Sequence, residues 1–479
     1  MASLKIDKYT DVVIYAVIGV LFVSFASRAF VDSYLWYDEA GQFYISKGLF
    51  HYSEPYANYG NLEDSLFYNR YFNLDPGGFG IILHFWSKIS NNYVWLRLLP
   101  LLFYITSIAI LYNWAFKYSK TKIKAVIMTS ILLLHPVFAI SSCEIRAYSM
   151  ELLGVVLSLK ILQLFDNKWN FKRLAILASF LGLFITSRYS FILYAFGFSL
   201  YICFWLLHNK PIKDAIYNII GYGLILIGFI GYVVITATIY QNSGTQGVSY
   251  VENAYIANNL EALLSLSCLR FYCLIVIICY TKYKREKIPS YLSVSVIVSF
   301  VFFLSSTFDF YPMDERRAMS LTVIQCISIV AYTLNKVTKL LHERIIKLVM
   351  LSVSFSLIFI WPKLTENRTM KIEEYNSFKK IIFQLSNEES IFVAANNSPS
   401  IRYAFEEGDL KTLDKNIYLR QVILGKGGTH NDSKGVLKIN IKNEKNITAT
   451  YYYFNRKNHI DNKLFIPIPD MPGIYQNNK

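Results

Sequence analysis

Apolar runs of membrane-spanning length recur along most of the chain, and they constrain the fold more than any other feature. A helix needs about 17–25 mainly apolar residues to cross a bilayer. In lipid its backbone groups must be satisfied within the helix itself. We read about eleven such runs: 12–30, 94–116, 125–140, 148–165, 174–187, 189–207, 216–240, 262–280, 289–306, 318–335 and 346–362. Hydrophobic residues make up 54% of the 479 residues and charged residues only 17%, against roughly 25% charge in soluble domains. A chain this apolar cannot coat a single soluble globule, and disorder is excluded more firmly still.

The net charge of +15 would point to nucleic acid in a soluble protein. Here the cations sit in short clusters between apolar runs, so the expected partner is a bilayer and not nucleic acid. Every second loop is basic: Lys117 to Lys124, Lys168 to Arg173, Lys210 and Lys213, Lys282 to Lys287, and Lys336 to Lys347. The positive-inside bias then places the N-terminus inside and the C-terminus outside a cytoplasmic (inner) membrane. The first run has no small-residue cleavage site, so it reads as a span and not as a removable signal. The six cysteines all lie in or beside apolar runs, and none has metal-ligand spacing with His. A disulfide framework is not expected.

The fold class expected is an α-helical polytopic membrane protein with a small C-terminal α/β extracytoplasmic domain. The transmembrane domain covers 1–362, including a long outer loop at 31–93, and the tail domain covers 363–479. In the loop, Tyr44, Ile45, Leu49 and Phe50 at helical spacing suggest a helix lying on the bilayer surface. In the tail, 371–385 reads as an amphipathic helix, 390–395 as a buried strand and 398–405 as a helix. The stretches 436–441 and 447–454 alternate like strands.

Charges at span ends are costly and tend to be functional. Four clusters fall on the expected outer side. Asp38 and Glu39 follow the first span, where a carboxylate can serve as a general base if an acceptor hydroxyl is held beside it; a solvated interfacial acid is the plainer alternative. Asp75 precedes Pro76 at the start of a helix, which suits a cap. Glu144 and Arg146 occupy a short loop before Tyr148; they could form a local pair, or Arg146 could present its fork of donors to a phosphate. Arg316 and Arg317 lie outside against the charge trend, and Arg188 at the tip of a tight hairpin joins them. Together these groups line an outer cavity suited to an anionic lipid phosphate and a hydroxyl to be deprotonated.

The order of these motifs resembles the GT-C superfamily of membrane glycosyltransferases, in the bacterial branch related to protein O-mannosyltransferases and the lipid A aminoarabinose transferase. Asp38-Glu39-Ala40 with Tyr44 matches that family's Asp-Glu motif. Asp75 to Phe79 loosely matches a Pro-Pro-Leu-Tyr-like segment, with Gly77 and Gly78 in place of its second Pro and Leu. Arg97-Leu98-Leu99-Pro100 matches an Arg-Leu-Pro stretch, and Ser142, Glu144, Arg146 and Tyr148 match a Ser…Glu-x-Arg-x-Tyr motif. The resemblance covers about 36–150 and weakens beyond. It implies inverting transfer of a sugar from a polyprenyl-phosphate sugar to an acceptor hydroxyl of a glycan, glycolipid or protein at the outer face. Asp38 would be the base and Glu39 its neighbour. Arg146, Arg188, Arg316 and Arg317 would bind the donor phosphate, and Tyr44, Asp75, Glu144 and Tyr148 would contact substrate. No cofactor and no metal are expected, and the sequence has no Gly-rich nucleotide loop.

Three other readings compete, and a non-enzymatic membrane scaffold whose tail binds a partner leaves the clustered outer charges unexplained. A surface-polysaccharide polymerase is also multispanning with outer arginines, but is not expected to carry Asp-Glu straight after the first span. A lipid-linked sugar transporter should show inverted repeats and broken spans, which the sequence lacks.

Overall fold

The computed structural model of the chain describes residues 35–49, 59–72, 75–165, 168–235 and 255–340, and helical residues between Val12 and Phe30. In the tail it describes Asn376 and 389–394, 398–410, 416–420, 436–442, 449–453, 465–467 and 474–477. The helices in order are α1 (Tyr37–Ser46), α2 (Leu62–Phe72), α3 (Gly78–Ser87), α4 (Tyr93–Ser119), α5 (Lys122–Leu134), α6 (Pro136–Ser141) and α7 (Tyr148–Phe165). They continue with α8 (Phe171–Ile185), α9 (Tyr189–Asn209), α10 (Ile212–Ile235), α11 (Leu266–Tyr283), α12 (Ser290–Thr307), α13 (Met319–Leu340) and, in the tail, α14 (Ser398–Glu406).

Among the described residues six helices, α4, α7, α9, α10, α11 and α12, are long and apolar enough to cross a membrane. The protein is therefore an α-helical, multi-pass membrane protein. The run at 125–140 is split into α5 and α6. Pro136 has no N–H to give, and it drives His135 into extended backbone (ψ 121°). The hairpin between α8 and α9 turns at Ser187 and Arg188, as its sequence suggested. The run at 346–362 and the amphipathic helix at 371–385, apart from Asn376, lie outside the described residues.

Chain contacts group the molecule into two compact units. One comprises 1–28, 70–79 and 100–361; the other comprises 29–69, 80–99 and 362–479. This grouping cuts across the sequence boundary at 362, because the segments 29–69 and 80–99 pack with the tail.

In the first unit the helices meet through small residues, the usual solution where lipid supplies no hydrophobic contrast. A Cβ on Gly197 of α9 would stand 2.8 Å from Val298 Cα of α12, so only glycine permits that approach. Polar side chains bond across the same helices. Gln325 Nε2 of α13 donates to Ser299 Oγ of α12 (3.0 Å) and to the Ser267 carbonyl of α11 (3.0 Å).

In the second unit, α1 is buried on every side from Glu39 to Ser46. This corrects the expectation of a helix lying on the bilayer surface. Its apolar residues face protein: Phe43 meets Tyr403 of α14 edge-on at 5.5 Å. His84 Nδ1 donates to the Ser46 carbonyl (2.7 Å), and Lys47 Nζ to the Ser87 carbonyl (3.0 Å). Trp86 and Trp95 stack at 4.3 Å and each donates its indole N–H to the other's carbonyl, which ties the end of α3 to the start of α4. The tail forms a six-stranded mixed sheet in the order β2-β3-β1-β4-β6-β5. Its strands are β1 (Glu389–Ala394), β2 (Asn416–Arg420), β3 (Val436–Lys442), β4 (Ala449–Tyr453), β5 (Phe465–Pro467) and β6 (Ile474–Asn477). The β1–β4 pair is parallel and the others antiparallel. The strand at 390–395 and the helix at 398–405 match their sequence expectations closely.

Candidate functional site

Both units hold charged residues that the sequence singled out. In the second unit these are Asp38, Glu39 and Tyr44, all on α1. Helical geometry turns adjacent residues 100° apart, and that separates the two acids. Glu39 points inward and has no exposed surface; its Oε2 lies 2.9 Å from Arg97 Nη2, which is equally buried. The same carboxylate accepts the Trp36 N–H at 3.4 Å and so caps its own helix. Asp38 is half-buried and makes no hydrogen bond or ion pair with any described residue. Of the two acids, Asp38 keeps its lone pairs available and Glu39 serves the scaffold.

Tyr44 is also fully buried. Its hydroxyl donates to Glu406 Oε2 (2.8 Å), and the Arg402 guanidinium lies over its ring at 4.1 Å. Burial and the neighbouring Glu406 push the phenol well above its ordinary pKa, so it stays a donor. As placed, Tyr44 packs against Glu406 and Arg402 of the tail. Two acids of the tail, Glu406 and Glu407, complete this region. Glu407 Oε1 accepts from Tyr59 (2.7 Å) and from Asn91 Nδ2 (2.8 Å), and the Tyr403 hydroxyl donates to the Asn91 carbonyl (2.7 Å).

The first unit gathers Asp75, Glu144, Arg146, Tyr148, Arg188, Arg316 and Arg317. Asp75 turns to two arginines of the same unit. Its oxygens lie 3.5 Å from Arg188 Nε and 3.8 Å from Arg146 Nη2. The Gly78 N–H reaches the Thr186 carbonyl (2.8 Å). Both glycines of this segment are required: Gly77 has φ +100°, and a Cβ on Gly78 would stand 2.2 Å from Thr186 Oγ1. Glu144 makes a distant pair, its Oε2 lying 3.0 Å from Arg316 Nη2. Two guanidinium groups lie over the Tyr148 ring, Arg188 at 4.2 Å and Arg316 at 5.1 Å from its centre.

Arg188 is the hub. Its Nη1 donates to Glu151 Oε2 (3.1 Å) and to the carbonyls of Arg316 and Arg317 (3.2 Å each), while Nε faces Asp75. Arg188, which the sequence suggested as a phosphate ligand, thus has Nη1 and Nε engaged with other parts of the protein. Glu151 escaped the sequence reading because it lies inside the apolar run 148–165. It is fully buried, and its Oε1 accepts from Ser190 Oγ (2.5 Å) and from the Ser320 N–H (3.0 Å). A lone acid in an apolar run was the available signal.

Arg316 and Arg317 sit on a turn whose backbone is tied throughout. Asp314 Oδ1 accepts both of their N–H groups (3.1 and 2.9 Å), and Tyr311 donates to the Arg317 carbonyl (3.1 Å). The Arg317 guanidinium itself makes no hydrogen bond or ion pair with a described residue. The site therefore sets four guanidinium groups against three buried carboxylates, Asp75, Glu144 and Glu151, with Asp314 exposed beside them. Counting Asp314, four carboxylates face the four guanidinium groups, so an anionic oxygen from outside would be met by the donors of Arg317 and not by a surplus of charge. Among the described residues no group of three His, Cys, Asp or Glu side chains could hold a metal ion.

No family model matches the sequence, and no curated protein matches it. Among solved structures, the chain is similar to the Archaeoglobus fulgidus oligosaccharyltransferase, crystallised with zinc and sulfate. The identity is 14% and the TM-score 0.44, over 71% of this chain and 52% of that one. The chain thus spans about half the length of the protein it matches.

Proposed function

We propose that the protein is a glycosyltransferase of the membrane, transferring a sugar with inversion from a polyprenyl-phosphate sugar to an acceptor hydroxyl. The observation that carries this reading is the Arg317 guanidinium, presented on a tied turn beside Arg316 and left without a partner among the described residues. A lipid-phosphate sugar is a phosphodiester with one negative charge. The Arg317 guanidinium, which makes no ion pair with a described residue, matches it, and Arg146 and Arg316, both partly exposed, supply further forks of donors. Asp38 is the base, because it is the carboxylate of α1 that the scaffold does not use. The leaving phosphate departs as a stabilised anion, so the chemistry needs a base for the acceptor and cations for the departing group. The inner membrane and the N-inside, C-outside orientation rest on the alternating basic loops, and the surface-glycan acceptor on the family resemblance of residues 36–150.

Binding of a short-chain polyprenyl-phosphate sugar to purified protein in detergent tests the phosphate assignment. Arg317→Ala and Arg316→Ala should each weaken binding by about tenfold or more, as loss of a hydrogen bond to a charged group costs roughly 1.5–3 kcal/mol. Arg146→Lys should recover only part of what Arg146→Ala loses, because a point charge replaces a fork. Unchanged affinity in both Arg316 and Arg317 variants would sink the reading.

A further inference from the structure

We infer that Glu151 is a positioning residue for the phosphate-binding turn at 314–317, acting through Arg188. The inference rests on the phosphate reading proposed above and adds to it a residue that never touches the donor.

The argument begins with the cost of the charge. A carboxylate with no exposed surface, one turn inside a membrane-length helix, is expensive to keep unless its partners compensate it. Glu151 is compensated by Arg188 Nη1, Ser190 Oγ and the Ser320 N–H, from α9 and from the start of α13. Packing alone would be served as well by an apolar residue of similar volume, which is often neutral or better than a buried ion pair. The charge is needed for what it fixes in Arg188.

Arg188 Nη1 is shared among three acceptors, and two of them are the carbonyls of Arg316 and Arg317. Glu151 Oε1 holds the Ser320 N–H just beyond the same turn. Arg188 therefore anchors the turn from the carbonyl side, Asp314 from the N–H side, and Glu151 grips Arg188 and the start of α13 together. With its backbone held at both ends, the turn presents the guanidinium groups of Arg316 and Arg317 in one arrangement. Without Glu151, Arg188 turns fully to Asp75, its other acidic neighbour, and its hold on the two carbonyls slackens. The side chains that meet the phosphate then lose their preorganisation, and donor affinity falls although every phosphate ligand is still present.

The test is a double-mutant cycle on binding of farnesyl phosphate to the full chain in detergent, with thermal stability measured alongside. Glu151→Gln should weaken binding by about tenfold, and Arg317→Ala by a similar factor. The double variant should be little weaker than Arg317→Ala alone, since the positioned group is already gone; coupling of this size is normal for groups in one network. Ser190→Ala, which removes one bond to Glu151 and no charge, should reproduce part of the loss and serves if Glu151→Gln does not fold. Independent effects that multiply, or a Glu151→Gln protein that binds normally, would overturn the positioning role while leaving the phosphate reading standing. Normal binding by Arg317→Ala and Arg316→Ala would overturn both.

Discussion

Glu39 and Arg97 form a salt bridge of 2.9 Å in which neither side chain has any exposed surface. Removing one member of such a pair strands a buried charge, at a cost of about 3–5 kcal/mol. Arg97→Ala should therefore lower the melting temperature sharply. Glu39→Gln should do the same, and its loss of transfer should track the loss of folded protein. Replacing both residues with apolar side chains of like volume should restore much of the stability. A Glu39→Gln protein of normal stability and no activity would make Glu39 part of the chemistry instead.

Asp38 behaves oppositely. It has no partner among the described residues, so Asp38→Asn should leave the melting temperature and donor binding nearly unchanged. Transfer should fall by the factor typical of a lost general base, about 10²–10⁴. Turnover of a defined polyprenyl-phosphate sugar in liposomes measures this, and near-normal turnover would remove the base assignment.

The bond from Tyr44 to Glu406 makes α14 part of the scaffold of α1. Tyr44→Phe leaves the Glu406 carboxylate short of a donor and should cost about 1–3 kcal/mol. Truncation after residue 410 should keep α1 in place, whereas truncation before 398 should destabilise it, because only the second removes Arg402, Tyr403, Glu406 and Glu407. Limited proteolysis near α1 in the two truncations distinguishes these outcomes.

Gly78→Ala should be poorly tolerated. The added Cβ would meet Thr186 Oγ1 at 2.2 Å and the Thr186 carbonyl at 2.7 Å, and overpacking of this kind costs about 1–3 kcal/mol. Thr186→Ala should rescue it only partly, since the carbonyl remains. Full rescue, seen as a recovered melting temperature, would show that the backbone contact does not matter.

Lys47 gives a pH signature. Burial lowers its pKa from 10.5 to about 8, so between those values the unfolded chain binds more protons than the folded one. Stability must then rise with pH across that window. The buried phenol of Tyr44, whose pKa is raised, works the other way, but only once pH passes the ordinary tyrosine value of about 10. Melting temperature should climb from pH 8 to pH 9.5 in the parent protein and climb less in Lys47→Met. Equal slopes in the two proteins would show that Lys47 carries no such penalty.

The local features of this protein were legible in its sequence. Whether a segment enters lipid depends on the summed apolarity of consecutive residues, so the runs that became α4, α7 and α9 could be read directly. The break at Pro136, the turn at Ser187 and Arg188, and the β1–α14 unit of the tail are likewise set by neighbours in sequence. Which residues carry charge at the ends of helices was visible too, and Asp38, Arg146, Arg316 and Arg317 were identified that way. Their partners were not. Glu144 meets Arg316 across 172 residues, and Tyr44 meets Glu406 across 362. The adjacent acids Asp38 and Glu39 look alike in sequence, yet only packing buries one and leaves the other open. Ion pairs form between whichever helices come together, and that choice rests on contacts such as Gly197 against Val298 and Gly78 against Thr186. Those contacts depend on the shapes of distant segments. The sequence by itself determined the apolar runs and the inventory of charges; only the tertiary structure decided which of those charges pair within the protein.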